Sequence, residues 1–475
     1  MALFRFISFI VLSSMAITTR AQQSYKWDSL RLSSFGEEFK WGTACAAYQI
    51  EGAWDSDGKG VSIWDEFTHR KGNVHNNDNG DVSVDFYHRY KEDIRLHKEM
   101  NFDVFRFSIS WSRIFPDGTG EINPKGVQFY HNVIDECLAQ GVEPWVTLYH
   151  WDLPQNLENK GGWTNREIIK WFSLYTEFCA NEYGGKVKNW MVMNEPAAFV
   201  GLGYMMGYHA PGEKGISNFL KATHNTCLSM AESGRILRSK VKNANIGTTF
   251  SCSPVEAYKG KQKNEKAVEK LDALLNRLYI EPCLGLGYPT DRFPALKKIE
   301  KYFEEGDDEK LIFDFDFIGI QNYFRVVAKK HIWPPVLWAK QIDPKKRDVP
   351  TNEMGFEIYP EGIYKVLKQF GEYEKVKEII VTENGVCVKD SLENGVVQDQ
   401  KRINFFKSYL YEVLKAKKEG VPVNGYFVWS LTDNFEWSEG YEPRFGLIYI
   451  DYKTLHRTIK DSGLWFRREL KQRSK

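Results

Sequence analysis

The sequence predicts an α/β fold, a single (β/α)8 TIM barrel with its active site at the C-terminal ends of the strands. Three observations predict it. Eight short apolar runs alternate with helical-period segments from one end of the chain to the other. No long linker, low-complexity segment or repeat divides the 475 residues. Length alone would allow about three domains of roughly 150 residues each, a prior that α/β barrels routinely break. Finally, nearly every apolar run finishes in side chains that hydrogen-bond, and a barrel gathers such ends at one face.

The runs follow in order. "FKWGTACAAYQIEG" (39–52) carries Gln49 near its end, and "VFRFSISW" (104–111) ends in Trp111. "EPWVTLYHW" (143–151) ends in His150 and Trp151, and "NWMVMNE" (189–195) in Asn194 and Glu195. "NIGTTFS" (245–251) has no such ending, while "DFIGIQNYF" (316–324) carries Asn322 and Tyr323. "EIIVTENG" (378–385) ends in Glu383 and Asn384, and "GYFVWSLTDNFEW" (425–437) in Glu436 and Trp437. Amphipathic stretches between the runs include Val84–Met100, Val127–Gln140, Arg166–Tyr183, Asn218–Lys240, Pro360–Phe370 and Gln400–Lys418. Ordinary caps and turns would put Gly, Asp and Ser at these ends. Seven of eight ends with larger hydrogen-bonding groups indicate one converging site instead.

Composition narrows the function classes. Hydrophobic residues make up 42% and charged residues 27%, as in an ordinary globular protein. A net charge of +1 gives no bulk reason to expect nucleic acid or an anionic membrane. The short basic runs Lys345–Arg347 and Arg467–Lys475 read as solvated surface. Aromatics reach 15%, with 15 Trp, an excess suited to flat apolar platforms for sugars or bases. Seven widely spaced cysteines without a CxxC pair support neither a zinc site nor a disulfide framework. Ten His without HxH or HExxH leave no metal site to propose, and no cofactor motif appears. "GLGYMMG" (201–207) misses dinucleotide-binding spacing and reads as a close backbone approach near the site. In "HNNDNGDVSVD" (75–85), a calcium-loop frame puts Phe86 where Glu is needed, so the stretch reads as a polar loop before a helix.

The N-terminus differs from the rest. Arg5 precedes the apolar "FISFIVL" (6–12), and the small-residue stretch after it ends at Ala21. This predicts a secretory signal peptide over 1–21, leaving residues 22–475 as the catalytic domain. No stretch reaches the roughly 18 apolar residues of a membrane span, so no membrane anchor is expected. The predicted location is periplasmic or secreted. The absence of any N-x-S/T acceptor favours a bacterial setting for that export.

Two of the strand ends carry the chemistry. Glu195 ends the fourth run and Glu383 the seventh, placing two carboxylates across the mouth from each other. Such a pair is what glycosidic bond cleavage requires: one donates a proton to the leaving oxygen, the other attacks the anomeric carbon or directs a water. The two must differ in ionisation. Arg106 faces inward if Phe105 and Phe107 face outward, which puts a cation where it would hold Glu383 charged; Tyr323 adds a hydrogen bond. Glu195, less well paired, would keep its proton longer and act as the acid.

With these residues in view, the chain resembles glycoside hydrolase family 1, the β-glucosidase type. The motifs are "FKWGTACAAYQIEGAW", "FRFSISWSRIFPDG", "TLYHWDLP", "MNEP", "VTENG" and "WSLTDNFEWSEGYEPRFGLIYID", in family order from about Phe39 to Leu464. The resemblance implies Glu195 as acid/base and Glu383 as nucleophile, with Arg106 and Tyr323 bonding the nucleophile. It implies Gln49, His150, Asn194 and Glu436 as binders of the cleaved sugar's hydroxyls. Trp437 would be a further contact, Trp429 the platform beneath the ring, and Trp151 an aromatic of the same wall. Two positions depart from the pattern. Val192 stands where Thr is frequent, and Gln321 stands at an Asn, which moves its substrate-facing amide one methylene further out. In plant thioglucosidases of the family the acid/base is Gln; the intact Glu195 implies an O-glycosidase.

The implied activity is retaining exo-hydrolysis of terminal β-D-glucosyl residues, with galactosyl or fucosyl also open, on a small-molecule glycoside or oligosaccharide. Two rivals are weighed against it. A catalytically silent sugar-binding barrel would be expected to have lost one of the two glutamates. A phospho-β-glycosidase would need a cationic cluster where Glu436 and Trp437 stand, and a carboxylate there repels a phosphate dianion.

Overall fold

The computed structural model describes residues 26–473, so the expected signal peptide lies outside the described residues. All eight apolar runs form strands: β1 Lys40–Ala44, β2 Val104–Ser108, β3 Glu143–Tyr149, β4 Asn189–Asn194, β5 Asn245–Ser251, β6 Phe317–Gln321, β7 Ile379–Asn384 and β8 Val423–Trp429. They are parallel and close into a barrel in chain order, with β1 pairing both β2 and β8. Parallel strands covered on both faces are buried throughout, which is why these runs read as nearly continuous apolar stretches. β7, for example, is buried at every position from Ile379 to Asn384.

The predicted helices lie between them as Phe86–Glu99, Pro124–Ala139, Ile168–Tyr183, Ile216–Lys240, Glu361–Gly371 and Gln400–Lys418. The second begins three residues earlier than Val127 because Pro124 opens it and the Asn123 side chain caps it. Three runs are shorter strands than expected. Gln49 lies in the helical turn Ala47–Ile50 and Trp111 in the turn Trp111–Ile114. "ACAAYQ" is Ala-rich and lacks β-branched residues, so it bends into a helical turn once past the β1 pairing. In the last run Glu436 lies in the loop beyond β8, and Trp437 opens the short helical turn Trp437–Glu439.

Three expectations need correction. β4 and β7 are not diametrically opposed, since only β5 and β6 separate them on one side of the ring. The aromatic excess largely fills the core: Trp41, Trp64, Trp111, Trp163 and Trp190 are among the largest fully buried side chains. Trp111 stacks on Tyr175 at 4.9 Å and donates to the Gly118 carbonyl, so it belongs to the core rather than to the site. Arg347 is not solvated; its side chain is 8% exposed and pairs with the buried Glu357 at 2.6 Å. The region 325–350, which carried no motif, forms a small sheet of Val255–Ala257, Val326–Lys330 and Ala339–Gln341 outside the barrel. All seven cysteines are buried and unpaired.

Candidate active site

β7 delivers Glu383. Its register against β6 slips between Val381 and Glu383, and against β8 between Val381 and Asn384. A slip of this kind re-aims the side chains that follow it. The next residue is glycine because a Cβ at 385 would stand 1.9 Å from the Trp429 carbonyl oxygen. Glu383 is buried and accepts three hydrogen bonds. Arg106 Nη1 donates to Oε1 at 2.6 Å, Gln321 Nε2 to Oε1 at 2.7 Å, and the Tyr323 hydroxyl to Oε2 at 2.8 Å. As expected, Arg106 faces inward while Phe105 packs outward against Phe86 and His97.

β4 delivers Glu195 in the same manner, with a register slip against β5 between Met191 and Asn194. Glu195 itself adopts a left-handed backbone, φ 47° and ψ 65°, immediately before Pro196 opens a short helix. Trp151 and Trp437 also have positive φ, 83° and 50°. Three non-glycine residues held this way at one site are the kind of local strain that surrounding packing must enforce. Val192, the departure from the common Thr, is fully buried in β4.

The environments of the two carboxyls push them apart. Burial raises Glu195 well above the usual carboxylate range, and the Glu383 charge raises it further; the Ser251 hydroxyl and Arg106 only partly oppose this. Burial also raises Glu383, but there Arg106 and the Tyr323 hydroxyl act directly against it. Glu195 therefore holds its proton to higher pH than Glu383.

Asn194 ties the floor together. Its Oδ1 accepts from Arg106 Nη2 at 2.5 Å, Gln321 Nε2 at 2.7 Å and the Thr249 hydroxyl at 2.8 Å. Its Nδ2 lies 2.9 Å from His150 Nε2, and its carbonyl accepts from Trp151 Nε1 at 2.9 Å. An amide N–H donates, so His150 Nε2 accepts and Nδ1 carries the proton; burial lowers the ring's pKa well below the usual value and keeps it neutral. Above this floor is a cavity of about 690 Å³, lined among others by Glu195, Glu383, His150, Trp151, Trp429 and Tyr323. Glu436 and Trp437 close the same wall, with Trp437 stacked on Trp151 at 4.5 Å.

Gln49 and Gln321 lie one layer below. Gln49 Nε2 donates to the Phe435 carbonyl at 2.8 Å and reaches Glu436 Oε2 at 3.5 Å. Gln321, expected to contact substrate, spends its amide nitrogen on Glu383 and Asn194 and is not among the residues that line the cavity. Sequence reasoning missed Thr147, whose hydroxyl accepts from Arg106 Nε at 3.1 Å, and Thr249 and Ser251. The last two sit on β5, the one strand that carried no obvious ending. "GLGYMMG" fares as expected: a Cβ at Gly203 would meet the Ala210 carbonyl at 2.4 Å, and Leu202, Met205 and Met206 line the cavity.

Glu436 gives a test of these electrostatics. Burial, with the Glu383 charge adding, pushes its carboxyl from 4.5 up to about 8. A folded pKa above the unfolded one means stability is fully present below pH 4.5 and is lost as pH rises toward 8. At neutral pH the cost is on the order of 3 kcal/mol. Glu436→Gln should therefore raise the melting temperature by about a few degrees at pH 8, and the gain should vanish near pH 4, as scanning fluorimetry across pH would record.

Comparison with known proteins meets this geometry. The model of glycosyl hydrolase family 1 matches residues 32–475. β-Glucosidase A of Thermotoga maritima is 42% identical over 92% of this chain and 98% of its own. A 6-phospho-β-galactosidase of Clostridium acetobutylicum is 36% identical over 92% and 97%. Among solved structures, the β-glucosidase from Thermotoga maritima in complex with glucoimidazole superposes with a TM-score of 0.88 at 41% identity, covering 93% of this chain and all of that one. A closed eight-stranded barrel with two buried glutamates at its mouth, matched over nearly its whole length, identifies the chain as a member of glycosyl hydrolase family 1.

Proposed function

We propose that the protein is a β-glucosidase that releases terminal non-reducing β-D-glucosyl residues with retention of configuration. The observation that carries the reading is the asymmetry of the two glutamates: Glu383 accepts three hydrogen bonds, one from a cation, while Glu195 is raised by burial and by its neighbour's charge. In the first step a Glu383 oxygen attacks the anomeric carbon. The bond to the leaving oxygen breaks, and Glu195 gives its proton to that oxygen. The Glu383 charge is then consumed in an ester. With that charge gone, one of the influences raising Glu195 is gone too, so its pKa falls and the carboxylate suits the base of the second step. It takes a proton from water, the water oxygen attacks the anomeric carbon, the ester bond breaks, and Glu383 leaves as a carboxylate.

Glu436, supported by Gln49, offers an acceptor for sugar hydroxyls, and Trp429 offers an aromatic face. A panel of nitrophenyl β-glycosides on the mature chain tests the reading, with the highest kcat/KM expected on the glucoside. Turnover of a 6-phospho-glycoside alone would favour the rival reading suggested by the phospho-galactosidase relative. The cavity disfavours it, because no Lys or Arg is among the side chains that line it, so a phosphate dianion would find no cationic partner there.

Arg106 supplies a further prediction. Arg106→Gln removes the cation that holds Glu383 ionised, so the Glu383 pKa rises. The acid limb of the kcat/KM profile should move to higher pH, and the maximum should fall by about 100-fold or more. An unmoved acid limb would mean that Arg106 does not set the ionisation of Glu383.

We propose export as well, on the charged, apolar and small-residue segments of residues 1–21. Mass spectrometry of the exported protein should find a new N-terminus near Gln22, and an intact Met1 would refute it.

A further inference from the structure

A second cleft, of about 730 Å³, opens beside the active-site mouth. One wall is the helix Glu265–Asp272 and the turn before it, and another is the stretch from Asp291 to Ala295. The third is Lys330 with Val336, Leu337 and Trp338, from the hairpin joining Val326–Lys330 to Ala339–Gln341. Leu337 lines both this cleft and the active-site cavity, so the two adjoin at that residue.

The charge here is one-sided. Lys263, Lys266, Lys270, Arg292 and Lys330 face the cleft, against Glu269 and Asp291. Asp291 is engaged by Arg292 at 3.3 Å. Lys263, Lys266 and Lys330 are exposed, and no ion pair within 4 Å neutralises them among the described residues. Lys270 is spent on structure: it donates to the Val336 and Leu337 carbonyls at 2.9 and 3.1 Å and lies 4.8 Å from the Trp338 ring centre. It thereby holds the hairpin against the helix, with Trp338 still 57% exposed. In a chain of net charge +1, three unpaired cations around one aromatic-walled hollow are a local feature.

We infer that this cleft binds an anionic saccharide, with the Trp338 face as platform for a sugar ring and Lys263, Lys266 and Lys330 as partners of its carboxylate or sulfate ester. The volume suits a ligand of a few rings. Indoles present a large apolar face to such rings, and ammonium groups are point-charge partners for either anion. The concavity favours a saccharide over a lipid surface, because a flat bilayer cannot enter a hollow to meet its cations. The position is apt as well: resting on the glycosidase reading, a glycan whose terminal residue enters the cavity would continue past Leu337 into the cleft.

Native gels of the full chain test this, each holding one dissolved polymer: carboxymethylcellulose, cellulose sulfate or neutral hydroxyethylcellulose. Retardation is expected in one or both charged gels and not in the neutral one, and it should weaken in about 0.5 M salt. Retention by carboxymethylcellulose alone assigns a carboxylate, by cellulose sulfate alone a sulfate ester, and by both an anion of either kind. Lys263→Glu/Lys266→Glu should weaken binding at least about tenfold with kcat/KM on nitrophenyl β-glucoside unchanged, since both side chains are exposed and outside the active-site cavity. Trp338→Ala should weaken it comparably. Equal retardation by the neutral polymer, an unchanged dissociation constant in the lysine pair, or dependence on charge without dependence on Trp338 would overturn the inference. So would co-sedimentation with phosphatidylserine vesicles that Trp333→Ser at the hairpin tip abolishes, which would assign a membrane instead. Gel retention needs no turnover, so a failure of the glycosidase reading would show separately in the nitrophenyl assay.

Discussion

Glu383→Gly should lower kcat/KM on β-glucosides by a factor on the order of 10⁵, because no glycosyl-enzyme can form without the attacking carboxylate. The variant also vacates the space beneath the anomeric carbon, between Arg106 and Tyr323. Azide is small enough to enter there and needs no proton removed. It should restore turnover of an activated aryl glucoside and attack the anomeric carbon from the nucleophile's side. One displacement inverts the centre, so the product should be the α-glucosyl azide. Proton NMR reads the anomer directly, and a β-azide from this variant would reverse the two roles.

Glu195→Ala should behave differently on the same substrates. A nitrophenolate leaves with little protonation, so the first step should proceed and the glycosyl-enzyme should accumulate. Water then lacks its base, and steady-state kcat should fall by about 10³-fold or more, with a burst of nitrophenolate equal to the enzyme present. Poor leaving groups such as alkyl glucosides should lose the first step as well. Azide needs no base and should discharge the ester, giving the β-glucosyl azide after two inversions. Opposite anomers from the two variants are the signature of the assigned roles.

The barrel was legible because parallel strands buried on both faces must be apolar runs, and "IIVTEN" and "NWMVMN" could hardly be anything else. The two glutamates were legible for the same reason: a carboxylate at the end of such a run is costly unless it has work and a partner. The partner was legible too, since alternation puts Arg106 inside once Phe105 and Phe107 pack outside. The network beneath was not. Thr147, Thr249 and Ser251 are small hydroxyl residues on strands, where they usually serve β-propensity, and nothing in their spacing distinguishes a hydrogen-bonding role. Gln321 misled in a different way, because a side chain's family position said nothing of where one added methylene would send its amide. Trp111 misled because an aromatic at a run's end suits a sugar platform and a core equally well; packing against Tyr175 decides it. The small outer sheet went unseen because Val255–Ala257 and Ala339–Gln341 are three-residue strands, too short to set a period.

The most direct measurement is trapping. A 2-deoxy-2-fluoroglucosyl donor with a good leaving group slows both steps, but the second more, so the ester accumulates. Proteolysis and tandem mass spectrometry then locate the label. The predicted result is one fluorodeoxyglucosyl group on the peptide that contains "VTENG", carried by Glu383 and discharged when a glucoside acceptor is added. A label on Glu195, or inactivation with no labelled residue at all, would contradict the assignment of Glu383 as the nucleophile of a retaining enzyme.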